Sequence, residues 1–355
     1  MSEHSEPALT QDVAGRVCAQ HRRAPGHPLR RAEGGRRLSG VLRDPQPTQP
    51  LVSIITVVRN GATTLAQCMA SVFAQSYDNI EYIVIDGHSS DGTLAIIQDA
   101  AARLDYYISE PDNGIYDAMN KGLALAFGDY VLLLNADDWY RSDAVARLVA
   151  AAQDSGADVT HANAAIIDAQ GNRVTTWHAW LHDGLYTGNC PLRHETMLIR
   201  QNVYERTGCY DASFEIIADY AYIMRLYETG SSFCHVPEAL LFFRRTGISN
   251  GPRARLDAER ARLFAVRFPF LDAADLALLN NPDLDSSLRL TLIDKHRGRN
   301  ELFTRSLAFN IAQAPEVRIG ATFVSLVRRC KKQSWWPLTA PLRRCLRRIR
   351  DGSWG

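Results

Sequence analysis

The sequence predicts an α/β protein, a mostly parallel sheet flanked by helices, with a helical C-terminal extension. Three observations lead there. Short apolar runs rich in β-branched residues alternate with stretches of helical period between residues 51 and 140. Each run ends in polar or acidic residues, as strands of an open parallel sheet do where ligands bind beyond their carboxyl ends. From residue 251 onward the pattern is helical and arginine-rich.

Residues 1–50 are rich in Arg, Pro, Gly, Ser and Gln, with arginine pairs at Arg22-Arg23, Arg30-Arg31 and Arg36-Arg37 and no apolar period. They are expected to be a disordered basic leader, either a functional arm or a dispensable extension. The texture changes at Val52-Ser53-Ile54-Ile55-Thr56-Val57-Val58, which suits a first strand buried on both faces. Asn60-Gly61 breaks it, and residues 64–74 place Leu65, Met69, Val72 and Phe73 at helical spacing.

A second strand is expected at Glu81-Tyr82-Ile83-Val84-Ile85-Asp86, a helix over 93–104, a short strand at 105–109 and a helix over 115–127. Tyr130-Val131-Leu132-Leu133-Leu134 is the most apolar strand of the chain. Residues 158–249 mix short strands (164–167 and 196–199) with a helix over 220–229. The resulting division is a leader (1–50), a catalytic domain (51–250, its halves meeting near 140) and a helical, basic extension (251–355).

With 355 residues, 46% of them apolar, the chain is long enough for one large core. Forty basic and 39 acidic residues leave a net charge of +1, which gives no electrostatic basis for a nucleic-acid partner. Seven cysteines at irregular spacings lack a C-x-x-C pair, which suits a reduced, cytoplasmic chain. No run of about 18 apolar residues is present to span a bilayer. A P-loop and a G-x-G-x-x-G are both absent, which argues against P-loop phosphotransfer and dinucleotide oxidoreduction. The loop Val58-Arg59-Asn60-Gly61-Ala62 lacks the glycine-rich form expected of a sugar nucleotidyltransferase.

Chemistry concentrates in Leu134-Asn135-Ala136-Asp137-Asp138-Trp139, directly after the apolar strand. Two adjacent carboxylates there call for a compensating cation, and oxygen ligands suit Mg2+ or Mn2+, which also take phosphate oxygens. Capping of the next helix is the competing reading.

The stretch from Val52 to Trp139 resembles the donor-binding half of the family 2 glycosyltransferases. Five ordered motifs over about 90 residues carry the resemblance: Ser53 to Asn60, Ser71 to Tyr77, Glu81 to Thr93, Gly114 to Gly122 and Gly128 to Asp138. It implies a GT-A fold, a nucleotide-sugar donor with UDP favoured, a divalent metal (Mn2+ or Mg2+), and an acceptor hydroxyl on a glycan or lipid-linked saccharide. The setting it implies is cell-surface polysaccharide or lipopolysaccharide assembly. The alternative is a non-catalytic nucleotide-sugar-binding protein on the same scaffold.

By this resemblance Asp86 reaches the nucleobase, flanked by Thr56, Val58 and Asn60. Asn120 and Lys121 lie near the donor, where Lys121 offsets phosphate charge or is a solvated helix residue. Asn135, Asp137 and Asp138 meet the donor, Asp137 and Asp138 holding the metal. Asn135 stands where many relatives carry the first aspartate of the motif. Asp219 is the base candidate and Asp211 the runner-up, because inverting transfer needs a carboxylate to take the acceptor proton. His194 is a candidate for the acceptor site, and Arg244 and Arg245 for a clamp on the diphosphate. Basic residues around Trp335 and Trp336 (328–350) suit either the inner face of an anionic membrane or a solvated helical end.

Overall fold

The computed structural model describes residues 28–41, 43, 48–168, 170–179, 190–245, 253–280, 292, 295 and 296. The expectations for residues 1–27, the loop 246–250 and the basic tail 328–350 lie outside the described residues. The chain divides into two units, residues 1–179 with 192–253, and residues 180–191 with 254–355.

In the first unit, β1 (Ala32–Gly34) precedes β2 (Val52–Val58), every residue of which is buried, as the apolar run predicts. Helix α1 (Leu65–Phe73) turns Leu65, Cys68, Met69 and Val72 inward, and β3 (Ile80–Asp86) is again wholly buried. There follow α2 (Thr93–Asp99), β4 (Tyr106–Ser109), α3 (Ile115–Leu125) and β5 (Tyr130–Asn135). β4, β3, β2 and β5 lie side by side and parallel, with Val52 opposite Ile80 on one side and Tyr130 on the other. Gly122 lets α3 press on β2, since a Cβ there would come within 2.3 Å of the Ile55 side chain.

The sheet continues through β6 (Trp139–Tyr140), α4 (Ala144–Ser155), β7 (Val159–Ile167), β8 (Arg173–Trp177), β9 (Leu198–Arg200), α5 (Gln201–Thr207), α6 (Ala218–Glu228) and β10 (Phe233–Arg244). Its order is β1-β4-β3-β2-β5-β9-β7-β10-β6, with β8 on the side of β7. β9 runs antiparallel between β5 and β7, which therefore point the same way. All nine residues of β7 are buried, so the strand expected at 164–167 is longer than its apolar end suggests.

The last part of the expected leader is ordered. β1 pairs antiparallel with β4, Ala32 opposite Ser109 and Gly34 opposite Tyr107. The arginines responsible for the basic composition find carboxylates: Arg30 reaches Glu110 at 2.9 Å, Arg43 reaches Asp105 at 3.2 Å, and Arg37 pairs with Glu81. Composition reports polarity without recording that these partners wait on the sheet's edge. In the second unit the described residues form α7 (Arg253–Arg267) and α8 (Ala273–Asn280). No helix of the described residues is long and apolar enough to cross a membrane.

Candidate active site

A cavity of about 540 Å3 opens at the carboxyl ends of β2 and β5, within the volumes common for small-molecule sites. One wall is the β2 end and following turn (Val58, Arg59, Asn60), another the β5 end (Asn135, Asp137). The N-terminus of α3, the turn before β9 (Arg193, His194, Glu195) and the entry to α6 (Glu215, Asp219) complete it. Asn60 adopts a left-handed φ of 53°, and its side-chain oxygen accepts from the Ser90 backbone at 2.8 Å, locking this turn to the 87–92 loop.

Asp219 sits in the first turn of α6, where the helix dipole favours a carboxylate. Its Oδ2 lies 3.4 Å from His194 Nδ1, and the Tyr116 hydroxyl proton is shared between its Oδ1 at 3.1 Å and the Ile216 carbonyl at 2.7 Å. Burial opposes ionisation of Asp219, yet the hydrogen bond and charge of His194, with the Tyr220 N–H, hold its pKa below the ordinary value. Burial likewise opposes protonation of His194, but the charges of Glu195 and Asp219 outweigh it and raise its pKa. The two form an ion pair on the cavity wall.

Behind this wall, Glu195 is buried and its Oε1 accepts from Asn135 Nδ2 at 2.8 Å. Tyr140 anchors the same turn by donating its hydroxyl to the Glu195 carbonyl at 2.6 Å. Asp138 is 1% exposed; its Oδ1 accepts from the Arg244 backbone N–H at 2.8 Å. Its Oδ2, Glu195 Oε2 and Asn135 Oδ1 are buried without a hydrogen-bond partner. Burial first, then the charges of Glu195 and Asp137, pushes the Asp138 pKa well above the carboxylate range.

The model of glycosyl transferase family 2 matches residues 53–227. Over 179 residues the chain is 34% identical to an uncharacterized glycosyltransferase of Mycobacterium tuberculosis, covering 50% of this chain and 68% of the relative. The chain belongs to glycosyl transferase family 2. A PGL/p-HBAD biosynthesis glycosyltransferase of Mycobacterium bovis is 29% identical over 188 residues, 50% of this chain and 70% of that one. Among solved structures, S. aureus TarS 1–349 in complex with UDP matches with a TM-score of 0.50 and 16% identity, over 86% of this chain and 92% of that one. A longer TarS chain matches over 76% of this chain, which spans 46% of its length. The mixed sheet with flanking helices and this likeness establish the GT-A fold.

Of the residues expected at the site of this glycosyltransferase, Val58, Asn60, Asn135, Asp137, His194 and Asp219 line the cavity. Others lie away from the cavity lining. Thr56 points into the core, its hydroxyl 3.0 Å from that of Tyr82, because it shares the strand face of Ile54 that packs under α1. Asp86 is fully buried and spends its oxygens on Ser89 and Ser109, shaping the 87–92 loop from beneath. Asn120 makes a pair of hydrogen bonds with the Tyr210 backbone, at 2.9 and 3.0 Å, and so ties α3 to the segment before α6.

Lys121 donates to the Pro111 carbonyl at 2.7 Å and pairs with Glu110 at 3.2 Å, away from the cavity lining. Arg245 is an exposed turn residue whose N–H meets the Ile167 carbonyl, and the Arg244 guanidinium stacks on Trp139. Neither arginine lines the cavity. Asp138 lies behind it, and Asp211 is exposed and engaged by the Ser213 N–H. Glu195, Arg193, Tyr116 and Glu215 also line the cavity, although no role was expected of them. The clustering of Arg193-His194-Glu195 beside a strand was the available signal for two of them.

Proposed function

We propose that this glycosyltransferase moves a sugar, with inversion, from a nucleotide-diphosphate donor, a UDP-sugar favoured, to a hydroxyl of a glycan or lipid-linked saccharide. The observation that carries the reading is one cavity lined by Asp137 at the end of β5 and by Asp219 at the start of α6, the latter held ionised by His194. The proposed setting is cell-surface polysaccharide assembly at the cytoplasmic face of the membrane. The Mycobacterium bovis relative is named for a biosynthetic role, PGL/p-HBAD biosynthesis.

Asp219 accepts the proton of the acceptor hydroxyl as that oxygen attacks the anomeric carbon. The attack comes opposite the departing diphosphate, which is why inversion follows. Tyr116 and the Tyr220 N–H orient the carboxylate, and His194 keeps it charged. Arg59 offers a guanidinium on the β2 side of the same cavity.

Asn135 Oδ1, buried without a partner, and Asp137 both line the cavity at the end of β5, and their oxygens suit a hard divalent cation. No group of three His, Cys, Asp or Glu side chains among the described residues is arranged to hold a metal. Asp137, with Asn135 beside it, would hold Mn2+ or Mg2+ together with oxygens that the substrate brings. When bound, such an ion offsets the charge on the leaving diphosphate.

The test is calorimetric titration of the full chain with UDP, GDP and dTDP, with and without Mn2+. Binding of one nucleotide that needs the metal and is lost in Asp137→Ala is the expected result. Metal-independent binding of all three, or of none, would remove the donor assignment.

A further inference from the structure

Arg193 sits on the cavity wall between two aromatic rings, its guanidinium carbon 4.5 Å from the centroid of Trp177 and 4.2 Å from that of Phe243. Five carboxyl side chains line the same cavity: Asp112, Asp137, Glu195, Glu215 and Asp219. Arg193 nevertheless forms no ion pair and no side-chain hydrogen bond with any described residue, and its Nε is buried without a partner. Stacking explains this, since two rings fix the plane of the fork and hold it off the neighbouring acids. A guanidinium that is immobilised, partly desolvated and left with open donors is preorganised for a planar oxyanion. His194 follows at the next position, its Nδ1 3.6 Å from Glu195 and 3.4 Å from Asp219, two carboxylates that favour its charged form.

The geometry points to Arg193 as the anion-binding residue of this cavity, holding a phosphate-type oxyanion in its fork. This deepens the proposed transferase reading. Two sources share the chemistry, the diphosphate of the donor and a phosphate on the acceptor. Both place Arg193 in contact with ligand, whereas a purely structural arginine would contribute stability alone.

The experiment titrates inorganic phosphate into the full chain, Arg193→Gln and Arg193→Lys, in EDTA so that no metal bridges the probe to Asp137. Arg193→Lys keeps the cation and loses the stacked fork, so it serves if the glutamine variant folds poorly; thermal unfolding of each is recorded. About tenfold or greater loss of phosphate affinity in Arg193→Gln, with partial retention in Arg193→Lys, is expected for a lost charge-assisted fork.

The titration is then repeated on wild-type protein saturated with the preferred nucleoside diphosphate and Mn2+. Exclusion of phosphate identifies the donor diphosphate as the natural anion; continued binding identifies the acceptor. If wild-type protein binds no phosphate in EDTA, or neither variant shifts phosphate affinity by more than twofold, the inference is overturned. If nucleoside diphosphates fail to bind while Arg193-dependent phosphate binding persists, the donor reading fails and the anion site stands.

Discussion

At the scale of single residues the site is defined by two pairs of opposite character. Asp219 and His194 form a charged pair at 3.4 Å, with the carboxylate pKa lowered and the imidazole pKa raised. The carboxylate's lowered pKa adds stability above its unfolded value near 3.8, lost as pH falls through the folded value. The imidazole's raised pKa adds stability below 6.5, lost as pH rises through the folded value. Stabilisation by the pair is thus complete between those two values. Asp219→Asn is expected to lower the transfer rate by about 10^2 to 10^4-fold while leaving nucleotide affinity unchanged. It should also flatten the pH dependence of unfolding on either side of that window, below 3.8 and above 6.5, which chemical denaturation at several pH values would read. A rate within tenfold of wild type would remove Asp219 from the base role.

The second pair is Asp138 and Glu195, buried together with unpartnered oxygens. Because burial and two neighbouring acids push the Asp138 pKa well above the carboxylate range, an amide in its place keeps the size, the acceptor for the Arg244 N–H and a donor besides. Asp138→Asn is expected to change stability by less than about 1 kcal/mol, and Asp138→Ala to cost about 2–3 kcal/mol by orphaning the Arg244 N–H and opening space. Urea unfolding separates the two; equal losses would mean the carboxylate is charged and needed as such.

At the scale of elements, what the sequence makes legible is what periodicity encodes. β2, β3, β4 and β5 and the helices between them follow directly from apolar runs and helical spacing, and they bring Asn60, Asn135 and Asp137 to one edge. Periodicity does not encode strand direction, so nothing at 196–199 announces the antiparallel β9 that carries Arg193, His194 and Glu195 into the cavity. Nor does a motif state which way its side chains face: Thr56 and Asp86 lie on strands as expected, yet both are spent inside the fold.

The edge strap formed by residues 28–41 was hidden because its stability is tertiary. Arg37 packs its guanidinium over Tyr106 and Phe127 while pairing with Glu81, a residue also bonded by Ser53 and by the Phe127 N–H. Arg37→Ala leaves that carboxylate buried with only neutral donors, an expected loss of about 2–3 kcal/mol in denaturant unfolding. Adding Glu81→Gln should recover part of it. A double variant no more stable than Arg37→Ala would show that the stacking, and not the ion pair, carries the strap's contribution.

At the scale of the whole molecule, a net charge of +1 says little, because the charge that matters is local. The cavity wall carries five carboxyl groups, Asp112, Asp137, Glu195, Glu215 and Asp219, against Arg59, Arg193 and His194. A diphosphate entering such a wall meets a surplus of acids that Arg193 offsets only in part, so its tight binding should require a cation that changes the local sign. Thermal unfolding of the full chain tests this through linkage: a ligand at a hundred times its Kd stabilises the folded state by about 2.7 kcal/mol. For a domain of this size that corresponds to a rise of roughly 5–10 °C in Tm. The rise is expected with nucleoside diphosphate and Mn2+ together, to be small with either alone, and to vanish in Asp137→Ala. Arg245→Ala, altered at an exposed turn away from the cavity, should retain it in full. An undiminished rise without metal would mean that Arg59 and Arg193 suffice to hold the diphosphate and that the acidic motif after β5 serves the fold alone.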